Sequence, residues 1–500
     1  MSDRLAERNL KDCASSFGGC AGDDSQLSGL NWLFQQQHHG ISLGLDVMKT
    51  LLQELGHPEK KTPVLHIAGT NGKGSVAACA ASLLKAVGVR AGLYTSPHLV
   101  DFRERIMIEG EMIAPHDLEA GIRKLQFVTR AWSVLPTFFE LTTALAFDYF
   151  AAQECDVIIL ETGLGGRLDA TNVLTEKIAC AITPISLDHQ EWLGPSLEDI
   201  AREKAGIIRS CVPVITAPQK REVIQVLQRE AEALGAPFMQ ITEPLPLDSR
   251  IGLIGSHQLW NAALALKLVE SGPWKLSKRT IQIGLQSVTW PGRFERMPYL
   301  GITQKNKLPE IHASNVSKQE IILDGAHNPA AIKQLIRTWR EQFEDQRCIL
   351  IFGALSDKPW KEMLSLLEPI ALKIILVPIA SPRSVDPAIM AEHFSEVMTL
   401  SSLQEAFDQL ARIGRGSLRE QESLMDPAIG IFSQKESRVY NPVFTYLPGL
   451  PEPSPSCLHS DKNLALEPRF YAPILLTGSL FLVGEALSFM QGKAYHRSAQ

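Results

Sequence analysis

The chain has few cysteines and no long apolar segment. Its eight cysteines are spread over 500 residues without a CxxC pair, a pattern that predicts a reduced, cytoplasmic protein. The longest apolar stretch, about residues 471–484, is interrupted by Thr477, Gly478 and Ser479, so no membrane-spanning helix is expected. The N-terminal residues contain no uninterrupted apolar core behind a positive charge, and we therefore expect no secretory signal.

Excess positive charge is also lacking. The formal net charge is -6 at pH 7, which argues against a protein that binds nucleic acid through bulk electrostatics. Hydrophobic residues make up 45% and charged residues 21% of the chain, which are ordinary values for a globular protein. Because 500 residues exceed the size of one typical core, at least two domains are expected.

Short aliphatic or β-branched segments alternate with helical patterns along most of the sequence. This alternation is typical of α/β folds in which helices connect the strands of a mainly parallel sheet. A polar stretch at about 298–319 separates a first series of strands from a second one that starts at Glu320. We therefore predict a larger domain at residues 1–297 and a smaller α/β domain at 298–500. Another irregular stretch, at about 414–470, predicts a surface insertion or a partly disordered segment.

A glycine-rich turn lies within residues 65–75, LHIAGTNGKGS, between an apolar strand and a helix. Glycines allow positive φ, so successive N–H groups can point at one anion, while Lys73 and the helix N-terminus add positive charge. Ser75 carries a hydroxyl suited to the Mg²⁺ that accompanies a nucleotide. Gly74 departs from the general P-loop pattern, in which Ser or Thr follows GK directly. The alternative is a glycine-rich turn without a ligand.

Polar side chains follow two of the predicted strands and one nearby helix. Glu161 closes the apolar strand DVIILE, which favours a Mg²⁺ ligand over a cap or a solvated charge. His189 follows the strand IACAITP, and Lys204 lies in the helix SLEDIAREKAGII. Taken alone, each of these two also fits an ordinary role, a loop histidine and a surface lysine. Ligands of such sheets bind at the carboxyl ends of the strands.

A second group of polar residues lies on both sides of the predicted domain boundary. His257 and Asn261 are four residues apart in a predicted helix and therefore share a face. Arg293 lies in the turn TWPGRFER, where a guanidinium facing phosphate would stabilise a transferring phosphoryl group. Asp324 and His327 follow the first strand of the second series. The alternative for each segment is a structural turn.

The order of these segments resembles the folylpolyglutamate synthase and dihydrofolate synthase branch of the Mur ligase superfamily. The likeness is close from about residue 43 to 297 and thinner from about 320 to 490. No single segment is specific for this family, but the segments taken together are. The segments are LGLDVMKTLLQELG, HIAGTNGKGSVAA, YTSPHLVDFRERI, ETGLGGRLDATNV, SLDHQEWLG, IAREKAGI, GSHQLWNAALA, WPGRFE, LDGAHNP and TGSLFLVGEAL.

The resemblance implies an ATP-dependent amide ligase. ATP would convert a carboxylate of dihydropteroate, or the γ-carboxylate of a folate, into an acyl phosphate, and the amino group of L-glutamate would then displace phosphate. The implied fold is an N-terminal P-loop-type ATPase domain followed by a smaller C-terminal Rossmann-like domain. Because the implied site residues lie on both domains, closure is expected to assemble the site. The family expectation is a monomer.

The resemblance also implies roles for individual residues around the phosphates. Ser75 and Glu161 would hold one Mg²⁺, and His189 would help hold a second metal. Lys204 would be carbamylated, because an ammonium would repel the metals whereas a carbamate adds an anion beside them. The loop that would cradle the ATP phosphates consists of Gly69, Thr70, Asn71, Gly72, Lys73, Gly74 and Ser75.

The rest of the implied site binds the nucleotide base, the amino acid and the acceptor. Asn261 would contact adenine, Arg293 the γ-phosphate and Asp324 the ribose. His327 would lie near the glutamate. The residues implied for the folate or pterin-like acceptor are Ser96, Pro97, His98, Phe139 and Glu140.

Two other functions stay open at this stage. A peptidoglycan Mur ligase would carry a nucleotide-sugar domain before the phosphate loop, whereas 68 residues precede Gly69 here. A non-catalytic nucleotide-binding module would use the loop alone and would leave Lys204, His189 and Arg293 without a role.

Overall fold

The computed structural model describes residues 27–40, 44–299, 319–413 and 472–495. These residues form two α/β units, each built on its own mainly parallel sheet, so the predicted fold class is confirmed. The predicted insertion at about 414–470, and nearly all of the predicted linker at 298–319, lie outside the described residues.

The first sheet runs in the order β4-β3-β2-β5-β1-β6-β7-β8 and is parallel except at one edge, where β2, β3 and β4 pair antiparallel. Its central strands are buried along their whole length, as expected where helices cover both faces of a sheet. The strands within the described residues are β1 (Val64–Ala68), β2 (Ala91–Tyr94), β3 (Ile106–Ile108), β4 (Glu111–Met112), β5 (Val157–Glu161), β6 (Ala179–Ile182), β7 (Val214–Thr216) and β8 (Phe238–Gln240).

Helices pack on both faces of this sheet. One face carries the helix that follows the glycine-rich turn, and this helix packs against two later helices over an apolar core. The helices are α1 (Leu27–Gln35), α2 (Asp46–Glu54), α3 (Lys73–Ala86), α4 (Pro115–Thr129), α5 (Phe138–Ala152), α6 (Gln190–Leu193), α7 (Leu197–Ala205), α8 (Arg221–Ala233), α9 (Ser256–Glu270) and α10 (Lys278–Ser287).

The second sheet runs in the order β13-β12-β11-β14-β10-β9, with only β9 antiparallel to its neighbour. Its strands in the described part of the chain are β9 (Glu295–Pro298), β10 (Glu320–Leu323), β11 (Cys348–Phe352), β12 (Ala371–Leu376), β13 (Val397–Thr399) and β14 (Ile474–Thr477). The helices around it are α11 (Pro329–Phe343), α12 (Trp360–Leu367), α13 (Pro387–Ala391), α14 (Leu403–Ile413) and α15 (Leu480–Gln491).

Strand β9 belongs to the second sheet, since Glu295 pairs with Leu323 and Pro298 with Glu320. The predicted boundary between residues 297 and 298 therefore falls inside a strand, and the chain passes between the two sheets just before Glu295. The two units also contact each other directly. The side chains of Asn71 and Asn328 exchange hydrogen bonds of 3.2 and 2.9 Å across the cleft between the units.

Candidate active site

The carboxyl ends of three adjacent parallel strands open into one cleft. In the first sheet β1 lies between β5 and β6, and Ile67 pairs with Glu161 while Ala68 pairs with Ile182. The glycine-rich loop therefore meets the acid at the end of β5 and the loop after β6. The cleft contains a cavity of about 150 Å³, here called the first cavity. The predicted residues that line it are Gly69, Thr70, Asn71, Gly72, Lys73, Gly74, Ser75, Ser96, Pro97, Glu161, His189, Lys204, His257, Asn261, Arg293, Asp324 and His327.

Two glycines of the loop have conformations that a side chain would disturb. Gly69 has φ of 146°, and a Cβ there would lie 1.8 Å from the hydroxyl oxygen of Thr183. Gly72 has φ of 92°, and a Cβ there would lie 2.8 Å from Oδ1 of Asn261. The loop therefore passes close to both β6 and α9. Lys73 reaches back over the loop and donates to the carbonyl of Gly69 at 3.2 Å.

Glu161 is a buried carboxylate that lines the first cavity. It is 4% exposed, and its Oε2 accepts a hydrogen bond from the backbone N–H of Ser96 at 3.3 Å. Burial raises its pKa, and the charge of Lys73 and the Ser96 N–H oppose that rise. The hydroxyls of Ser96 and Thr183 are buried without a hydrogen-bond partner among the described residues. A bound cation and its ligands would offset the buried charge of Glu161 and give a partner to Ser96, which also lines the cavity, because buried charges and polar groups need partners.

Lys204 is a buried residue, so its interpretation as a surface lysine is wrong. Its Nζ donates to the carbonyl of Gly69 at 2.8 Å, and the residue is 5% exposed. Burial, with the charge of Lys73, lowers the pKa of Lys204 to about 7. The lowered pKa of Lys204 favours the neutral, nucleophilic amine more than in an exposed lysine.

Asp188 links the two units through charge. Its Oδ1 lies 2.7 Å from Nζ of Lys358, and both side chains are 8% exposed. Its Oδ2 accepts from Asn328 at 3.3 Å, and the Nε2 atoms of His189 and His327 lie 3.9 Å from its carboxylate oxygens. Burial alone would raise the pKa of Asp188, but Lys358 and the histidines hold it well below its usual range.

The two histidines beside Asp188 are neutral at pH 7. Burial lowers the pKa of both His189 and His327 to about 4, although Asp188 opposes the shift. His327 also contacts the carbonyl of Gly325 through Nδ1 at 2.8 Å. Neutral imidazoles are the form that can bind a metal or accept a proton.

The far side of the first cavity is formed by the turn before β9 and the loop after β10. Arg293 lines it together with Asp324. The carboxylate of Asp324 accepts the backbone N–H groups of Phe294 at 2.8 Å and Ala326 at 2.9 Å. Burial raises the pKa of Asp324, opposed by the Arg293 charge. Asn261 donates from α9 to a neighbouring glutamine of the same helix.

A second cavity, of about 380 Å³, meets the first one. Both are lined by Ser96, Gly163, Leu164 and His189. One end of the second cavity lies in the first unit, and the other end lies in the second unit. The residues of the first end include Gln37, Phe138, Phe139, Glu140, Leu168 and Trp192, and those of the second are Leu355, Asp357, Lys358 and Arg383.

The predicted acceptor residues lie in different environments. Phe139 lines the second cavity and covers Gly163, where a Cβ would lie 2.5 Å from the ring. Glu140 lines it too, but its carboxylate accepts the N–H and hydroxyl of Thr137, both at 2.8 Å, in a helix capping box. His98 lines neither cavity. It is buried and accepts a hydrogen bond from Arg105 at 2.8 Å.

A buried polar chain supports the loop shared by the two cavities. The carboxylate of Asp169 accepts the N–H of Gly163 at 2.9 Å and the hydroxyl of Thr171 at 2.5 Å. Because that hydroxyl is used as a donor, His66 must donate to Thr171 from Nε2, at 2.9 Å. The other nitrogen of His66 then accepts from Lys177 at 2.8 Å. This order of donors requires a neutral imidazole, and burial indeed lowers the pKa of His66.

Sequence reasoning missed some residues of the site. Lys358 and Arg383 follow strands β11 and β12 of the second sheet, so the rule that pointed to Asp324 applied to them as well. Gln37 lies in a short 3-10 helix, and its amide nitrogen is buried without a hydrogen-bond partner among the described residues. The residues around Gln37 in the sequence form no motif that would indicate a binding site.

The described residues contain no group of three or more His, Cys, Asp or Glu side chains arranged to hold a metal ion. A metal at the first cavity would therefore rely on hydroxyl and phosphate oxygens besides Glu161 and His189. None of the helices in the described ranges combines the length and apolar character needed to cross a membrane.

The parallel sheet with its glycine-rich loop, and the second α/β unit across the cleft, belong to a Mur ligase. A family model described as Mur ligase, glutamate ligase domain, matches residues 310–418. A Bacillus subtilis protein named dihydrofolate synthase/folylpolyglutamate synthase is 37% identical over 388 residues, which cover 71% of this chain and 85% of the relative.

Solved structures agree with this match. Mycobacterium tuberculosis folylpolyglutamate synthase complexed with ADP and AMPPCP superposes with a TM-score of 0.73 at 27% identity, covering 94% of this chain and 100% of that one. Escherichia coli FolC in complex with DHPP and ADP gives a TM-score of 0.71 at 25% identity, covering 93% and 98%. The chain belongs to the dihydrofolate synthase/folylpolyglutamate synthase family, and it is an ATP-dependent ligase. This membership leaves no support for the peptidoglycan ligase or the non-catalytic module.

Proposed function

We propose that this ligase adds L-glutamate to dihydropteroate, to the γ-carboxylate of a folate, or to both. The observation that carries the proposal is the meeting of two unlike cavities at Ser96 and His189. One has the glycine-rich loop and cationic side chains suited to ATP phosphates. The other has an aromatic end suited to a flat heterocycle. An acceptor carboxylate at their junction would face the γ-phosphate.

The phosphate end of the site stabilises charge. We propose that residues 69–75 hold the ATP phosphates, with Lys73 on the β and γ oxygens. Ser75 and Glu161 are the proposed ligands of one Mg²⁺, and His189 of a second. Mg²⁺, when bound, neutralises negative charge on the phosphates. The burial of Glu161 supports its role, because a cation would offset the cost of keeping that carboxylate ionised.

Lys204 is proposed to carry a carbamate. Its neutral amine adds to carbon dioxide with release of a proton, and the product is an anion. Two observations support this role, namely the burial of the amine beside Gly69 and the lowering of the pKa of Lys204 to about 7. The negative carbamate would lie next to Lys73 and the Mg²⁺ ions that bind the phosphates. A second ammonium group at this position would be repelled by those positive charges.

The remaining residues bind and orient the substrates. Arg293 is proposed to contact the γ-phosphate, Asp324 the ribose and Asn261 the adenine. The acceptor carboxylate attacks the γ-phosphorus, ADP leaves, and the amino group of L-glutamate then attacks the acyl carbon and releases phosphate. His327, neutral and close to Asp188, would lie beside the incoming amine. Ser96, Pro97 and Phe139 would contact the acceptor.

Glu140 and His98 have supporting roles in this proposal. Glu140 would fix the start of α5 through its capping box, and His98 would hold Arg105, which lines the second cavity. We also propose that the protein works as a cytoplasmic monomer in which closure of the two units assembles the site. One chain supplies both sides of the cleft, and the described cysteines are free thiols.

The test is direct. Purified protein with ATP, Mg²⁺, L-glutamate and either dihydropteroate or tetrahydrofolate should form ADP and a glutamylated product, measured by coupled ADP release and mass spectrometry. Product with one acceptor only would define which activity is present. The absence of a glutamylated product with both acceptors would refute the proposal.

A further inference from the structure

The second cavity ends in the second unit with charged side chains. Of the two cations there, Lys358 is engaged by Asp188 at 2.7 Å and is 8% exposed. Arg383 is 41% exposed, and its NH1 lies 3.5 Å from Oδ1 of Asp357, which is 24% exposed. The charge of Lys358 is therefore used between the units, whereas Arg383 lines the cavity and its guanidinium, which has five N–H donors, makes one long ion pair with Asp357.

The backbone under Arg383 is fixed without help from its side chain. Two loops, one after β11 and one after β12, are joined by hydrogen bonds from the N–H of Ser356 to the carbonyl of Arg383 at 2.8 Å and from Val385 to Ala354 at 2.9 Å. Leu355 and Ser384 form an antiparallel bridge between the same loops. The backbone that carries the guanidinium is therefore rigid, and replacing the Arg383 side chain should leave the two joined loops intact.

The pair with Asp357 does not account for Arg383 at this position. A half-exposed ion pair of this length contributes little to stability, because water screens it and both side chains lose freedom. A planar guanidinium with several donors is, however, well matched to a carboxylate that it can bind through two parallel hydrogen bonds. The substrates of the proposed reaction carry such carboxylates on every glutamyl unit.

We propose that Arg383 is a specificity-determining residue that binds a carboxylate of a glutamyl unit at this end of the second cavity. The inference rests on the proposed function. Two substrates present this chemistry, the incoming L-glutamate and the glutamyl unit already attached to a folate. Dihydropteroate has no glutamyl unit, so comparing acceptors separates the two sources.

The experiment compares the wild-type protein with Arg383→Met and Arg383→Lys. Lys361→Met is the matched control, since Lys361 is also a cation of the second unit but lies over the ring of Trp360 and does not line the cavity. Steady-state kcat and KM are measured for L-glutamate, dihydropteroate and tetrahydrofolate, and L-glutamine is tested as a competing amino acid.

Arg383→Met should raise the KM of the bound substrate roughly tenfold or more, as expected for loss of a hydrogen bond to a charged group. Arg383→Lys should recover part of the loss, and Lys361→Met should match the wild type. If Arg383 binds the incoming amino acid, the KM of L-glutamate rises with both acceptors and the preference over L-glutamine falls. If it binds the acceptor, the KM of tetrahydrofolate rises while that of dihydropteroate stays unchanged.

Two results would overturn the inference. Arg383→Met with wild-type KM values for all substrates would show that no carboxylate is bound there. A fall in kcat alone, equal for both acceptors and both amino acids, would indicate a structural role. Both results require an active wild-type protein. A wild-type protein that makes no product refutes the proposed function itself, and with it the role of Arg383.

Discussion

Replacing Gly74 by alanine should destabilise the protein, although alanine is the better helix former. Gly74 lies in the first turn of α3, and a Cβ there would lie 2.7 Å from Nε1 and 3.1 Å from Cε2 of Trp290. The higher helix propensity of alanine would contribute about 1 kcal/mol of stability. Overpacking against a rigid indole costs about 1–3 kcal/mol. The expected net effect is a loss of up to about 2 kcal/mol.

The measurement is chemical unfolding followed by circular dichroism, because a change in midpoint without a change in slope reports stability. Trp290→Leu removes the ring that the new methyl group would meet. In that background Gly74→Ala should become neutral or stabilising, and the double-mutant cycle should give a coupling of about 1–3 kcal/mol. If Gly74→Ala stabilises the protein while Trp290 is present, the packing explanation of this glycine is refuted.

Three further outcomes are expected. Lys204→Met should lower turnover at least roughly a hundredfold, because it removes a group beside the reacting phosphate. Calorimetry should still detect ADP binding to this variant. Normal turnover would exclude the proposed carbamate. Asp188→Asn should leave buried Lys358 with only its longer contact to Asp357, at 3.9 Å, so the two units should separate more readily, which X-ray scattering would show as a larger radius of gyration. An unchanged radius would contradict the link between the units. Burial lowers the pKa of Lys177 to about 7, whereas a lysine in an unfolded chain titrates near about 10.4. Between those values the unfolded state binds the proton and the native state does not, so stability should rise with pH by up to about 1.4 kcal/mol per unit. Lys177→Met should lack this rise, and unfolding curves between about pH 7 and 9 that run parallel for both proteins would disprove the linkage.

The buried strands were predictable from sequence, and the edge strands were not. Strands β1 and β5 are buried throughout and are apolar except for His66 and Glu161, so a short, mainly aliphatic run between turns predicted them. The β3–β4 hairpin is short and its last strand is exposed, and β9 is half exposed with charged residues. Edge strands of this kind lack the apolar signal on which a prediction depends.

The site divides in the same way. Glu161 and the glycine-rich loop, which line the first cavity, could be predicted because their position at or after the end of a strand is a local property of the sequence. The pairing of Asp188 with Lys358 spans 170 residues and depends on how two separate sheets meet. The burial of Lys204 depends on α7 packing beneath the loop, which no pattern within that helix reveals.

The order of the second sheet has a consequence for biosynthesis. Strand β14 (Ile474–Thr477) pairs with both β10 and β11 and separates them, although it follows them by more than a hundred residues in sequence. During translation, β10 and β11 therefore leave the ribosome with unpaired inner edges, and residues 414–471 are synthesised before the missing strand arrives. Exposed edges of apolar strands attract other chains. The second unit should accordingly depend on chaperone protection until its last strand emerges, whereas the first unit can complete its sheet much earlier.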